Sequence, residues 1–243
     1  LARFPKGGPD RVLPSSWLES AAEALTDDEP ADETEVRLSD LRIEGVEQDY
    51  YVPLGAWVRL GVDVAADGGD ELAISRIIGD LATIVHTSSG ATNTNVTDVA
   101  GKILAEIRRA EKIAAALGTN LETHPLRVKI DAIGIGWGVA GVLEAWGDEG
   151  MHSSVIVRVV VSEGTYRDDE DATFRPANKR AEMWLALRTL IQPRKDAKPI
   201  RLRVDKKTLA QLSAPTTGTN AQGRTTIESK ASLKRKGLPS PDR

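Results

Sequence analysis

Apolar and polar positions alternate along the middle of the chain in a way that is typical of β-strands. Runs rich in β-branched residues cover Trp57–Ala65, Glu71–Ile78 and Leu81–Thr87, and the sequences between them are short and turn-forming. Strands joined by such short connections pair with their sequence neighbours in antiparallel fashion. The pattern therefore predicts a three-stranded antiparallel meander.

A helical pattern follows the meander. Thr97–Leu117 carries apolar residues at a spacing close to 3.6 and ends at Gly118, which predicts a helix. Leu126–Ile133 then has the pattern of a buried strand, Gly138–Trp146 that of a helix, and Ser154–Val161 that of another strand. A strand, a helix and a strand in succession predict parallel neighbours joined by a right-handed crossover.

The last part of the chain continues with short elements. The pattern predicts a helix at Asn178–Ile191 with Asn178 as its cap, a strand at Ile200–Val204, a helix at Lys206–Leu212 and a strand at Thr225–Ser229. Three antiparallel strands followed by parallel strands, with helices between and after them, predict an α/β fold. We interpret it as a mixed sheet of the ribonuclease H type, flanked by helices.

Residues 1–56 differ from the rest of the chain. They are rich in acids and proline and carry one predicted helix, from Ser15 or Ser16 to Ala24. We interpret residues 1–56 as a linker or docking arm and residues 57–243 as the folded domain. The first residue is leucine rather than methionine, so we expect the chain to be a piece of a longer protein with further domains.

Composition excludes several kinds of site. The chain has no cysteine, which excludes disulfides and thiolate metal sites, and its three histidines are scattered. Oxygen-ligated metals remain open. No apolar run approaches the roughly 20 residues that span a bilayer, and no signal peptide is recognisable, so we expect a soluble, intracellular protein.

Charge is distributed unevenly. Residues 175–243 carry 17 Lys and Arg against five Asp and Glu, whereas residues 1–174 carry 15 against 31. A basic segment of this size can neutralise phosphates, although such segments are also common as solvated surfaces. The residues predicted to contact a DNA backbone are Lys179, Arg180, Lys230, Lys234, Arg235 and Lys236. Aromatic residues are few, which favours duplex backbone contact over stacking on single strands.

Three aspartates stand where a metal-dependent nuclease needs carboxylates. They are Asp63, Asp131 and Asp242, in the segments Gly61–Ala65, Val128–Asp131 and Ser240–Asp242. The first two interrupt predicted buried strands, where an ionised carboxylate is costly unless it is paired or binds a cation. In the predicted sheet Asp63 and Asp131 are neighbours on one face. Hydrolysis by two metals needs carboxylates that hold the cations roughly 3.5–4 Å apart.

Two further aspartates follow the first strand. Asp67 and Asp70 flank a pair of glycines and are possible outer metal ligands, but Asp-Gly-Gly-Asp is also an ordinary hairpin sequence. Asp131 precedes the glycine-rich stretch Ala132–Gly138, which does not have the spacing of a dinucleotide-binding loop. We expect its glycines to let the backbone pass close to a metal site or a bound strand.

Four motifs in order resemble one family, the C-terminal nuclease domain of the terminase large subunit of tailed bacteriophages. They are Gly61–Ala65 with Gly69-Asp70, Ile130–Gly136, Asn178–Trp184, and Ile227–Lys230 with Ser240–Asp242. The resemblance covers about residues 1–243. It implies a ribonuclease H-like fold and a two-metal site, with Mg²⁺ or Mn²⁺ bound by Asp63, Asp131 and Asp242 as catalytic residues.

The resemblance also implies a biological setting. The family cuts concatemeric double-stranded viral DNA during genome packaging in the host cell cytoplasm. Its partners are the terminase ATPase domain, the small terminase subunit and the portal. Two alternatives stay open: a Holliday-junction resolvase or transposase-like nuclease, and a DNA-binding docking module of the packaging motor without catalysis.

Overall fold

The computed structural model describes residues 10–23, 30, 33–46, 49–64, 71–89, 93, 95–165, 174–194 and 200–238. Its helices are α1 (Ser15–Glu23), α2 (Val96–Ala116), α3 (Ile135–Asp148), α4 (Lys179–Ile191), α5 (Lys206–Ser213) and α6 (Lys230–Arg235). Its strands are β1 (Glu35–Arg37), β2 (Tyr51–Pro53), β3 (Val58–Asp63), β4 (Glu71–Ile78), β5 (Leu81–Ser89), β6 (Arg127–Asp131), β7 (Val155–Val159), β8 (Arg201–Arg203), β9 (Thr217–Thr219) and β10 (Thr225–Ile227).

The chain forms two compact units. One comprises residues 25–159, and the other combines residues 1–24 with residues 160–242. The first unit contains a mixed sheet in the order β7-β6-β3-β4-β5. β3, β4 and β5 form an antiparallel meander, and β6 and β7 add parallel to the other side of β3. This is the predicted ribonuclease H-like arrangement, with the first strand of the meander at the centre.

One face of this sheet forms the core of the first unit. The alternate residues Val58, Leu60 and Val62 of β3 are buried, as are Val128 and Ile130 of β6. Helices α2 and α3 contact each other, and both contribute buried aliphatic side chains to the same cluster. Every second residue of β3 and β6 is therefore buried, and these residues share one core with the apolar stripe of α2 that the sequence predicted.

The core face also contains a buried charge cluster. Arg76 of β4 is 1% exposed and lies 4.0 Å from the carboxylate of Glu106 on α2, which also forms an ion pair with Arg109. Burial lowers the pKa of Arg76, while the attraction of Glu106 opposes that shift. Opposite charges make this burial tolerable, because an isolated charge there would be strongly destabilising.

Residues 33–56 contain structure that the sequence pattern did not predict. β1 and β2 pair in antiparallel register, and a short 3-10 helix, Leu38–Leu41, follows β1. Leu38, Val46 and Val52 are buried in the core cluster of the first unit. Strands of three residues show no reliable alternation on their own; β8 and β10 are as short, but lie within the longer predicted runs Ile200–Val204 and Thr225–Ser229. The predicted role of residues 1–56 as a linker or docking arm stays a prediction.

The second unit is built from short helices and a hairpin. Helix α1 packs against α4, α5 and β8, and β9 pairs with β10 in antiparallel register. Arg188 of α4 anchors the N-terminal segment, because its guanidinium donates to the backbone oxygen of Val12 at 2.5 Å and lies 4.7 Å from the ring centroid of Trp17. Arg188 is thus a packing residue, and burial lowers its pKa.

Most predicted elements are observed, with boundaries shifted by a few residues. Asn178 caps α4, since its side-chain oxygen accepts from the N–H of Ala181 at 2.9 Å. Two elements of the second unit were not predicted: β9, which lies between α5 and β10, and α6, which the basic run after Ser229 forms. Over the described residues, no helix has the length and apolar character to cross a bilayer.

Candidate functional site

The parallel pairing of β3 with β6 brings two of the predicted ligands together. Val62 is the register partner of Ile130, and each is followed by an aspartate at the carboxyl end of its strand. Asp63 and Asp131 therefore occupy adjacent positions on neighbouring strands about 4.8 Å apart. Because residues in register point to the same side of a sheet, both carboxylates lie on the face opposite the buried aliphatic residues. Both residues are half-buried.

The turn after β6 fixes the position of Asp131. Its Oδ1 accepts a hydrogen bond from the N–H of Ile133 at 3.2 Å, and the N–H of the intervening Ala132 donates to the backbone oxygen of Val159 at 2.9 Å. These contacts tie the carboxylate and its backbone to β7 and to the start of α3.

At two positions after Asp131 the backbone geometry requires glycine. A Cβ on Gly136 would lie 1.9 Å from the backbone oxygen of Asp131, so only glycine allows α3 to begin this close to the end of β6. Gly134 has a φ of 61° in a conformation that other residues rarely adopt. The glycine-rich stretch thus provides a close approach of backbone to backbone beside an acidic residue.

The two carboxylates of Asp63 and Asp131 suit a hard divalent cation. Carboxylate oxygens are the ligands that Mg²⁺ and Mn²⁺ take in proteins, and two like charges on adjacent strand ends are unfavourable without a cation. Within the described part of the chain no group of three or more Asp, Glu, His or Cys forms a ready ligand cluster. The predicted ligand Asp242 and the possible outer ligands Asp67 and Asp70 lie outside the described residues.

A third acid occurs at the same edge of the sheet. Glu71 opens β4, and because Ala73 is the register partner of Asp63, Glu71 projects to the same face. It is half-buried. Glu71 was not among the predicted site residues, although the alternation along β4 places it opposite the buried residues Leu72 and Ile74. It adds negative charge near the aspartate pair.

The predicted phosphate contacts belong to the second unit, and several of them interact with other residues of the chain. Lys179 forms an ion pair with Glu182 at 2.9 Å, and Lys236 forms one with Glu228. Arg180 donates to the backbone oxygen of Glu228 at 3.3 Å. Lys230, Lys234 and Arg235 lie on α6, and Lys234 and Arg235 are exposed. Their role in binding DNA stays a prediction.

Glu228 is the acid that organises this basic region. Its side chain is 7% exposed and accepts hydrogen bonds from Ser232 at 2.8 Å and Thr216 at 2.9 Å, besides its contact with Lys236. Burial alone would raise its pKa, but the hydrogen bonds from Lys236, Ser232 and Thr216 outweigh burial and lower it to about 2. Glu228 therefore stays ionised and attaches the first turn of α6 to β9 and β10.

Comparison with known proteins adds information on the fold. No protein-family model matches the chain. No curated protein sequence matches it either. Solved structures do match.

The similar structures are nuclease domains of large terminase subunits. The domain from subunit gp2 of bacterial virus Sf6 has 18% sequence identity and a TM-score of 0.57, and the match covers 95% of this chain and 94% of that one. A mutant of that domain, solved with manganese and beta-thujaplicinol, has 15% identity and a TM-score of 0.62 over the same shares of both chains. The large terminase nuclease from thermophilic phage G20c with bound cobalt has 14% identity and a TM-score of 0.50, covering 92% of this chain and 89% of that one.

At these identities the likeness concerns the fold. The chain has the ribonuclease H-like fold of terminase large-subunit nuclease domains, as the four motifs predicted. Both the element order and the central position of β3 agree with that prediction.

Proposed function

We propose that this chain is a metal-dependent endonuclease that cuts concatemeric double-stranded viral DNA during genome packaging. The observation that carries the proposal is the register of β3 and β6, because it brings Asp63 and Asp131 side by side on one face. The fold shared with terminase nuclease domains, some of them solved with manganese or cobalt, supports it.

In this proposal the chain's own residues bind and orient the reacting groups. Asp63 and Asp131 would hold the cations, with Asp242 as the third ligand that the family resemblance implies. Bound Mg²⁺ or Mn²⁺ supplies the charge that activates a water molecule and stabilises the leaving oxygen of the phosphodiester. The hydrogen bond from the N–H of Ile133 limits the rotation of the Asp131 carboxylate, so that it is positioned before substrate arrives.

Low sequence specificity follows from the chemistry of the proposed contacts. The basic residues Lys179, Arg180, Lys230, Lys234, Arg235 and Lys236 would interact with phosphates, which are the same in every sequence. The proposal further places the chain in the host cytoplasm, beside a terminase ATPase domain, a small terminase subunit and a portal, as the family resemblance implies.

Plasmid cleavage tests the proposal. Supercoiled plasmid is incubated with the protein in Mn²⁺, in Mg²⁺ or in EDTA, and the open-circular and linear products are quantified. We expect cleavage only with a divalent cation, and none from Asp131→Asn. The matched control is Asp148→Asn, which removes an equivalent charge from the exposed end of α3. A folded, DNA-binding protein that cuts under no metal condition would contradict the proposal.

The alternative functions predict other outcomes. A junction resolvase would cut a four-way junction in preference to linear duplex of the same sequence. A docking module would bind DNA and have no cleavage for Asp131→Asn to remove. Equal cleavage of linear and branched substrates that depends on Asp131 favours the packaging nuclease over both.

A further inference from the structure

The face of the sheet that carries Asp63 and Asp131 also carries a group of cations. We call it the polar face, and define it by Arg59, Gly61 and Asp63 of β3 and Arg127, Lys129 and Asp131 of β6, which alternate with the buried residues of the same strands. Arg127 and Lys129 are exposed and Arg59 is half-buried. The polar face thus has its cations toward the amino ends of these strands and its acids at the carboxyl ends.

Two of these cations are in contact range across the strands. Arg59 is the register partner of Arg127, so their side chains leave the sheet side by side. Neither arginine forms an ion pair with a carboxylate of the described residues. Like charges placed directly across neighbouring strands are destabilising. Burial and the nearby charge of Arg127 both lower the pKa of Arg59. Among the described residues, no ion pair neutralises this pair of cations.

Arg59 is also held in place by an aromatic ring. Its guanidinium carbon lies 3.5 Å from the centroid of the Trp57 ring. Stacking of this kind restricts the arginine side chain while leaving its N–H donors available to an anion. The side chain is therefore oriented before a ligand binds.

The spacing of these cations suits a nucleic acid backbone. From Arg127 to Asp131 the strand covers four residues, or about 13 Å at roughly 3.3 Å per residue. One strand of duplex DNA advances about 3.4 Å per nucleotide along the helix axis, so a duplex with its axis along the strand passes about four nucleotides over this length. Lys129 lies midway between Arg127 and Asp131, and Gly61, its register partner on β3, adds no side chain above the sheet. A phosphate backbone that followed this surface from Arg127 past Lys129 would end at the aspartate pair.

We propose that Arg59, Arg127 and Lys129 form a phosphate track that holds the backbone of duplex DNA on the polar face and leads it to Asp63 and Asp131. The inference rests on the proposed function, since it assigns a binding surface to the same site. It adds three residues of the first unit to the DNA contacts predicted from the basic C-terminal third.

The test measures binding without cleavage. Fluorescence anisotropy of a labelled short duplex is recorded in EDTA over a series of salt concentrations for the unmodified chain and for Arg127→Gln/Lys129→Gln. Glutamine keeps a long polar side chain at two exposed positions, so folding should be preserved. The matched control, Arg108→Gln/Lys112→Gln, removes the same charge from exposed positions of α2, which lies on the other side of the sheet.

The track predicts a defined change in salt dependence. The slope of log affinity against log salt should become shallower by about 0.9 for each lost contact, or about 1.8 for the double variant, with affinity about tenfold lower at low salt. The control should retain the slope and affinity of the unmodified chain. If Arg127→Gln/Lys129→Gln binds duplex DNA as the control does, the track is overturned. The cations of the polar face would then be candidates for contact with a protein partner.

Binding in EDTA and plasmid cleavage give separate answers. In one outcome the unmodified chain cleaves with no metal, but Arg127→Gln/Lys129→Gln still binds duplex more weakly and with a shallower salt dependence. The phosphate track then stands and the proposed nuclease fails. If cleavage depends on Asp131 while slope and affinity are unaffected by the substitutions, the nuclease stands and the track fails.

Discussion

The two faces of the central sheet differ in what they do, although they are made by the same strands. On the face covered by α2 and α3, β3 and β6 present aliphatic side chains that are almost fully buried. On the polar face, the intervening residues of those strands are charged or glycine. Because side chains alternate at every residue, a shift of one position in register would exchange the two sets. The core therefore fixes the position of the aspartate pair.

The largest expected effect comes from a substitution on the polar face. Asp63→Asn should reduce plasmid cleavage by more than about a hundredfold, the upper range seen when only a partner of a metal ligand is removed. Its melting temperature should change little, because the site is half-buried and the substitution removes a repulsive charge. Parallel measurement of cleavage rate and thermal unfolding checks this. A large loss of stability would mean that Asp63 is a structural residue.

The matching substitution on the core face should have the opposite profile. Ile130→Ala, one residue before Asp131, should lower the free energy of unfolding by about 2–5 kcal/mol, because it leaves a cavity in a fully buried position. Cleavage should persist at temperatures where the variant is folded. Urea denaturation measures the stability change. A loss below about 1 kcal/mol would contradict the burial of this face.

Gly136→Ala should disturb both faces at once. The added methyl group would meet the backbone oxygen of Asp131, so the start of α3 or the end of β6 must move. Overpacking of this kind costs about 1–3 kcal/mol, and the shift of Asp131 should also lower cleavage. The control is Gly101→Ala on α2, where a Cβ meets nothing within 4 Å. Equal behaviour of the two variants in denaturation and cleavage assays would show that the turn is not tightly packed.

A smaller effect is expected at Glu228, an acid with a structural role. Its folded-state pKa of about 2 is lower than the ordinary value of 4.5, so ionised Glu228 stabilises the fold above about pH 4.5. That contribution should be lost as the pH falls from 4.5 toward 2. Glu228→Gln should therefore be less stable than the unmodified chain at neutral pH, with a difference that shrinks on acidification. A pH-independent difference in urea denaturation would contradict this.

Sequence patterns predicted the sheet well, because its strands are long enough to show their alternation. β4 was predicted with its observed bounds, and the order of elements placed β3 beside β6. The neighbouring positions of Asp63 and Asp131 followed from interpreting that order as a ribonuclease H-type sheet, in which the first strand is central. The role of the two aspartates as metal ligands stays a prediction.

Other features could not be predicted from the pattern. β1, β2 and β9 have three residues each, which is too few to define a period. α6 was not predicted, because three of its six residues are basic and it shows no apolar stripe. The feature that marks its start is the cap provided by Ser229. Arg59 and Arg127 were overlooked because they are far apart in sequence, and only the register of two strands makes them neighbours.

Binding of Mn²⁺ tests the central claim most directly, because it reports on the aspartate pair without a DNA substrate. The free Mn²⁺ signal in electron paramagnetic resonance is titrated with the unmodified chain, with Asp63→Asn, with Asp131→Asn and with the control Asp148→Asn. The account predicts that the unmodified chain and the control take up Mn²⁺ and that each of the other two variants binds it at least about tenfold more weakly. Equal uptake by all four proteins would contradict a metal site at the ends of β3 and β6.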